Sequence, residues 1–260
     1  MLAVVLALML GAAACSAPAA PEGEAHQAMP ATAKNKPALG LMTSLPLYWP
    51  LGADLAALAS GSQTSPWQRT AMEREYSLVP LDTLSPISSL SGEDGDIDPL
   101  ARLDRIAVIQ PRGLSPADNV ALDRWVRSGG QLLIMLDPLL TGEYKLPLGD
   151  PRRPNASALI PPVIARWGLS QQFDPDVTRL REIATPHGAI PVLMGSDLRI
   201  AGDAAGNNGC RLHESGLAAR CARIGEGQVT YIGDASVFEH GELAGDDHEA
   251  IGALLAYAFD

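Results

Sequence analysis

Two short runs of apolar residues, each unbroken rather than alternating, frame the most legible part of the chain, from Leu103 to Pro138. Arg105 to Gln110 predicts one strand and Gln131 to Leu136 a second, which ends on Asp137. Between them Ser115-Pro116-Ala117-Asp118 opens a helix and Gly129-Gly130 closes it. Ser115 accepts from a free amide of the first turn, Pro116 stands where its missing N–H costs nothing, and Asp118 complements the positive helix end. Strands without polar alternation are buried on both faces, so this unit belongs to a parallel sheet covered by helices on each side.

The same reading extends along the chain. Ala38 to Thr43 predicts a first strand, followed by Ser44-Leu45-Pro46, a helix over Pro66 to Glu75 and a strand over Tyr76 to Leu81. Beyond Asp137, the residues Leu159, Ile160, Val163, Ile164 and Trp167 recur at helical spacing and predict a helix over Ser157 to Trp167, ended by Gly168. A strand-poor stretch follows, then short strands at Ile190 to Met194 and Leu198 to Ala201. Turn signals at Asn207-Asn208-Gly209 and Glu214-Ser215-Gly216 set off two antiparallel strands, Cys210 to Leu212 and Leu217 to Ile224. Gly227 to Asp234 is a further strand, and Asp247 to Phe259 a last helix capped by Asp246, with Glu249 reaching back and Ile251, Leu254, Leu255 and Ala258 as its buried stripe. The fold class expected is a three-layer α/β sandwich with a mostly parallel sheet, and a small antiparallel hairpin in its C-terminal part.

Gly130 to Asp137 and Gly227 to Asp234 follow one plan: Gly, Gln, sheet-forming residues, Asp. In a parallel sheet both carboxylates emerge at the carboxyl end, where α/β proteins place ligands. Thr43, Ser44, Asp137 and Asp234 are therefore the candidate ligand crevice. The plainer alternative is that each Asp caps the turn that follows it.

Leu2 through Ala14 is apolar and too short to span a bilayer as a helix, but has the length of a secretory signal core. Ala12-Ala13-Ala14-Cys15 resembles a bacterial lipoprotein box, although Ala12 stands where Leu is usual and no Lys or Arg precedes the run. Residues 1–14 are expected to be a signal peptide, Cys15 the lipidation site, and 15–37 an Ala- and Pro-rich tether. An ordinary cleaved signal and an uncleaved anchor are the alternatives. Residues 38–260 then form a single domain on the periplasmic side, held to the membrane through its lipid.

With 260 residues and 47% hydrophobic content the chain can bury a full core. Its 19 basic and 30 acidic residues give a net charge of -11, which repels phosphate backbones and argues against nucleic acid as a partner. With Cys15 set aside, Cys210 and Cys221 remain and are expected to pair in an oxidising compartment; free thiols or a metal pair are the alternatives.

Thr43-Ser44-Leu45-Pro46, the helix Val120-Ala121-Leu122-Asp123-Arg124-Trp125-Val126-Arg127-Ser128-Gly129-Gly130, and Val163 to Leu169 followed by Phe173-Asp174 resemble the auxiliary extracytoplasmic component of an uncharacterised class of ABC transport systems. Gliding-motility transporter proteins are the named relatives. The resemblance covers roughly residues 38–260 and implies a fold similar to the class I glutamine amidotransferase domain, beside a permease and an ATPase. The relatives commonly have membrane-spanning segments at one or both ends, where this chain has the short N-terminal run.

The amidotransferase chemistry does not carry over. It needs a Cys on a Gly-flanked elbow between strand and helix, whereas the residues after the Gln131 strand are Asp137-Pro138-Leu139-Leu140, and Pro138 has no amide to give an oxyanion hole. Glu239-His240 and His248-Glu249 look like remnants of a His-Glu pair, but are assigned to solvent and helix capping. Asp94, Asp96 and Asp98 alternate as calcium ligands do, yet Pro99 and Arg105 occupy the places of the Gly and Glu such a loop requires. Asn155-Ala156-Ser157 matches a glycosylation acceptor only by coincidence. No Walker loop, HExxH, GxSxG or dinucleotide-binding glycine pattern occurs, so no cofactor or metal is expected. The reading is a non-catalytic lipoprotein, an accessory or binding subunit of an ABC-type system. Its alternatives are a free-standing sugar- or metabolite-binding module, and a hydrolase using Asp137 and Asp234.

Overall fold

The computed structural model describes residues 36–53, 56, 60–61, 64–88, 95–175, 179–193 and 195–260. The signal peptide, Cys15 and almost all of the tether lie outside the described residues, as does Asp94 of the acidic loop. Residues Lys36–Asp260 form one compact unit.

In chain order the elements are β1 (Ala38–Thr43), α1 (Trp67–Met72), β2 (Ser77–Pro80), β3 (Arg105–Ile109), α2 (Pro116–Arg127), β4 (Gln131–Met135), α3 (Pro162–Arg166), β5 (Leu169–Gln172), β6 (Leu180–Thr185), β7 (Gly188–Leu193), β8 (Asp197–Ile200), α4 (Ala204–Asn207), β9 (Cys210–Leu212), β10 (Ala218–Ile224), β11 (Gly227–Ile232), α5 (Gly241–Ala244) and α6 (Glu249–Phe259). The main sheet runs β2-β1-β3-β4-β11-β10-β9. Its first five strands are mutually parallel, and β10 and β9 continue it antiparallel. Two-stranded antiparallel sheets, β5 with β8 and β6 with β7, complete the strands. A mixed α/β fold with a mostly parallel central sheet and an antiparallel hairpin near the C-terminus is what the apolar runs predict.

Both faces of the sheet are covered, as unbroken apolar strands require. Ala107 and Ile109 of β3 join Leu41, Leu133, Met135 and Ile232 under α1, α6 and β7, with Met72, Ile190, Ile251 and Leu254 buried among them. The alternate residues Ile106 and Val108 pack with Leu132, Ile134 and Tyr231 against Leu122 and Val126 of α2 and Val163, Ile164 and Trp167 of the α3 region. Helix α2 and strand β11 approach so closely that a Cβ on Gly227 would lie 1.9 Å from the Val126 carbonyl oxygen.

Helix α2 begins as its sequence signals. Ser115 Oγ accepts from the Asp118 amide at 3.0 Å, and Asp118 Oδ2 accepts from the Ser115 amide at 3.1 Å, closing a capping box. Three expectations need correction. The helix predicted over Ser157 to Trp167 is only α3: a residue before proline is pushed out of the helical region, so Pro161 and Pro162 keep the preceding residues extended. Leu159 and Ile160 are accordingly 62% and 45% exposed instead of forming a buried stripe. The stretch read as poor in strands contains β5 and β6, whose polar Ser170, Gln171, Gln172, Arg181 and Glu182 hide their pairing partners. The last helix starts at Glu249, after His248 in a left-handed conformation with φ of 56°, and Asp246 does not cap it.

Cys210 and Cys221 face each other in register on β9 and β10 and form a disulfide. Replacing both by Ser is expected to lower stability by about 2–4 kcal/mol, measured as a shift in the urea midpoint of the oxidised chain.

Candidate functional site at the carboxyl edge of the sheet

The parallel strands β1, β3, β4 and β11 all point one way, and their carboxyl ends bring together Thr43, Ser44, Gln110, Asp137 and Asp234. Thr43 Oγ1 accepts from the Leu45 amide at 3.0 Å, turning the chain out of β1. Ser44 is buried and donates from Oγ to the Gln110 carbonyl at 2.6 Å. Sequence reasoning passed over Gln110, yet it is the hub of this edge. It is buried, has φ of 44°, and takes the Asp137 amide on Oε1 at 2.8 Å. Its Nε2 donates to the carbonyls of Asp137 and Asn155, both at 3.1 Å. The strained strand-to-helix turn therefore follows β3, one strand away from Asp137-Pro138, and an amide fully used in binding backbone stands on it.

Asp137 and Asp234 lie in corresponding positions beyond β4 and β11, and are 0% and 1% exposed. Asp137 Oδ1 accepts from the Leu139 amide at 2.8 Å, and Oδ2 reaches across to the Ala235 amide at 3.0 Å. Asp234 Oδ1 accepts from the Ser236 amide at 2.8 Å and its hydroxyl at 2.6 Å, whereas Oδ2 is buried without a hydrogen-bond partner. Each carboxylate thus caps its own turn and is at the same time inside the protein. Burial pushes the Asp137 carboxyl up to about 7, aided by the charge of Glu239 and opposed by the Ala235 and Leu139 amides. Burial also drives Asp234 up, and the charge of Asp137 adds to it.

A third acid belongs to the group. Glu239, expected to face solvent, is instead half-buried and clasps the segment after β4. Its Oε2 accepts from the Thr141 amide at 3.0 Å, and Oε1 from the Gly142 amide at 3.0 Å and the Tyr144 hydroxyl at 2.5 Å. His240 Nε2 is bonded to Thr141 Oγ1 at 2.8 Å. Burial, then the bond to Glu239, holds the Tyr144 hydroxyl protonated far above its ordinary range. The other His-Glu pair is separate: His248 stacks on Trp67 with ring centroids 4.6 Å apart.

A cavity of about 310 Å³ opens at the opposite end of the strands, lined by Asp98, Leu103, Asp104, Arg124, Trp125 and Gly130 among others. None of the four crevice candidates lines it. Among the described residues no cluster of His, Cys, Asp and Glu has the arrangement of a metal site, and no helix is long and apolar enough to cross a membrane.

No protein-family model matches the chain, and no curated protein is similar to it at a significant level. Solved structures do align with it. An exo-β-1,4-mannosidase, Op5Man5, from Opitutaceae bacterium strain TAV5 is 15% identical over 85% of this chain and 36% of its own, with a TM-score of 0.47. A β-galactosidase from Rahnella sp. R3 is 8% identical over 86% of this chain and 31% of its own, with a TM-score of 0.45. A ThuA-like protein from Bacteroides uniformis ATCC 8492 is 12% identical over 89% of this chain and 94% of its own, with a TM-score of 0.40. The chain spans about a third of the length of the two glycosidases. Likeness at these levels assigns the chain no activity.

Proposed function

We propose that the protein is a non-catalytic extracytoplasmic lipoprotein, tethered through Cys15, that acts as an accessory or binding subunit beside the permease and ATPase of an ABC-type transport system. One observation carries the non-catalytic part: Ser44, Gln110, Asp137 and Asp234 are buried at the edge where α/β enzymes hold their reactive groups, and are bonded to backbone of their own chain. A hydrolase using the Asp pair has to open the fold before substrate reaches either carboxylate, since both are buried. The transport context rests on the resemblance of the Leu103 to Asp137 block and of Val163 to Leu169. The disulfide fits an oxidising compartment.

The full-length chain, tagged at its C-terminus and extracted from native membranes in mild detergent, is expected to bring down a permease and an ATPase identifiable by mass spectrometry. Cys15→Ser is expected to release it from the membrane fraction. Recovery of the chain alone favours the free-standing binding module. Turnover in a broad glycoside and ester panel that Asp137→Asn abolishes favours the hydrolase.

A further inference from the structure

We propose that Asp137 and Asp234 hold one proton between them, and that losing it loosens the segment from Leu139 to Tyr144 that Glu239 clasps. This proton site is a property of the fold and stands whether or not the chain joins a transporter.

The geometry begins with the sheet. Because β4 and β11 are parallel neighbours paired through Met135 and Ile232, Asp137 and Asp234 each follow two residues later on adjacent strands, whose ordinary spacing is about 4.8 Å. Asp137 in fact bonds to Ala235, the residue after Asp234. Three of the four carboxylate oxygens have backbone or hydroxyl donors; Asp234 Oδ2 has none and no access to water. Two bare negative charges in such a place are costly, and an oxygen without a donor adds to the cost. A single proton removes both problems, since a protonated carboxyl becomes a donor toward its neighbouring carboxylate.

The surrounding charges do not supply an alternative. Glu239 is a third acidic group, and its two oxygens are taken up by the Thr141 and Gly142 amides and the Tyr144 hydroxyl. Arg153 spends Nη1 on the carbonyls of Tyr144 and Leu146. Arg181, on the side of the segment preceding β8, is bonded to the Gly195 carbonyl and to Asp197. His240 is engaged by Thr141, and Glu242 lies 3.5 Å from its other nitrogen. Tyr231, whose hydroxyl bonds Gln171, stays neutral because burial raises it. Among the described residues no cation is paired with either Asp.

The upward displacement of both carboxyls, Asp137 to about 7, agrees with this arrangement. The folded form then binds the proton more tightly than the unfolded chain. The stabilisation is complete below the ordinary carboxylate range and is lost as pH rises through about 7. Relief of the second charge requires water, and the segment that these carboxylates themselves hold in place is the one hung from Asp137 by Leu139 and from Glu239 by Thr141, Gly142 and Tyr144.

Amide exchange of the full chain tests this. After correction for the intrinsic pH dependence of exchange, protection at Leu139, Thr141 and Gly142 is expected to fall between pH ~5.5 and pH ~8.5 by about tenfold more than protection in α2, whose amides follow global stability. In Asp234→Asn the same amides are expected to vary less than about twofold over that range. An infrared band of a protonated buried carboxyl in the native chain, present at the lower pH and gone at the higher, reports the proton even if the variant fails to fold. Equal protection at both pH values, or the absence of that band at the lower one, overturns the proposal.

Discussion

Trp167→Ala is expected to lower the unfolding free energy by about 3–5 kcal/mol, read from denaturant midpoints at constant slope. Trp167 is fully buried at the end of α3 and packs into the cluster that joins α2, β4 and the disulfide. Its indole Nε1 donates to Asp123 Oδ1 at 2.8 Å, and Asp123 also receives Arg127 at 3.0 Å and Arg166 at 2.9 Å. Alanine leaves a void the size of the ring, and removes one donor from a carboxylate that ties α2 to α3. Burial pushes the Asp123 carboxyl upward, but the bonds from Arg127 and Trp167 outweigh it and hold the group low. Trp167→Phe keeps most of the volume and loses the donor, so its cost is expected to be about 1–2 kcal/mol.

The second large effect is expected at Asp118. Its Oδ1 accepts from Thr83 Oγ1 at 2.7 Å, from the Leu84 amide at 2.8 Å and from the Ser85 amide at 3.0 Å. Its Oδ2 accepts from both the amide and the hydroxyl of Ser115, at 3.1 and 2.7 Å. One side chain therefore caps α2 and fixes the loop leading from β2. Asp118→Ala strands several of these donors in the interior and is expected to cost about 4 kcal/mol. Burial acts to raise this carboxyl, but the donors from Ser115, Thr83, Leu84 and Ser85 prevail and hold it well below the ordinary value of 3.8. The folded form binds this proton more weakly than the unfolded chain. Its contribution is thus present above about pH 4 and is lost as pH falls below that. Asp137 and Asp234 act in the opposite sense, so native stability is expected to peak in mildly acidic solution. Asp118→Ala is expected to flatten the acid side of that profile and leave the alkaline side in place.

Much of the framework is legible in the sequence because its signals are local. Ser115, Pro116 and Asp118 announce a helix start within four positions, and the unbroken runs at Arg105 and Gln131 announce strands with two buried faces. The repeated plan ending in Asp137 and Asp234 places two acids at one edge, and β4 and β11 are parallel neighbours. What escaped depends on distant partners. The three groups held by Glu239 are 95 to 98 positions away from it, so beside His240 it reads as a surface acid. Gln110 ends an apolar run like any polar terminator, and its role appears only when β4 lies beside β3 and Asn155 folds back over both. Leu159 and Ile160 match helical spacing, but the Pro161-Pro162 pair behind them is a local signal that overrides it.

The two margins of the main sheet have a further consequence. One is β2, four residues finishing on Pro80, and the other is β9, three residues stapled to β10 by Cys210–Cys221. Neither presents a long row of free peptide groups, which restrains lateral growth of the sheet into polymers. Under reducing conditions the short outer strand loses its covalent tie and keeps its few ladder bonds and the burial of Cys210, and its departure uncovers the seven residues of β10 as an adhesive flank. Thiol reagents should therefore reveal themselves in this protein first as self-association by light scattering, ahead of any loss of helical signal.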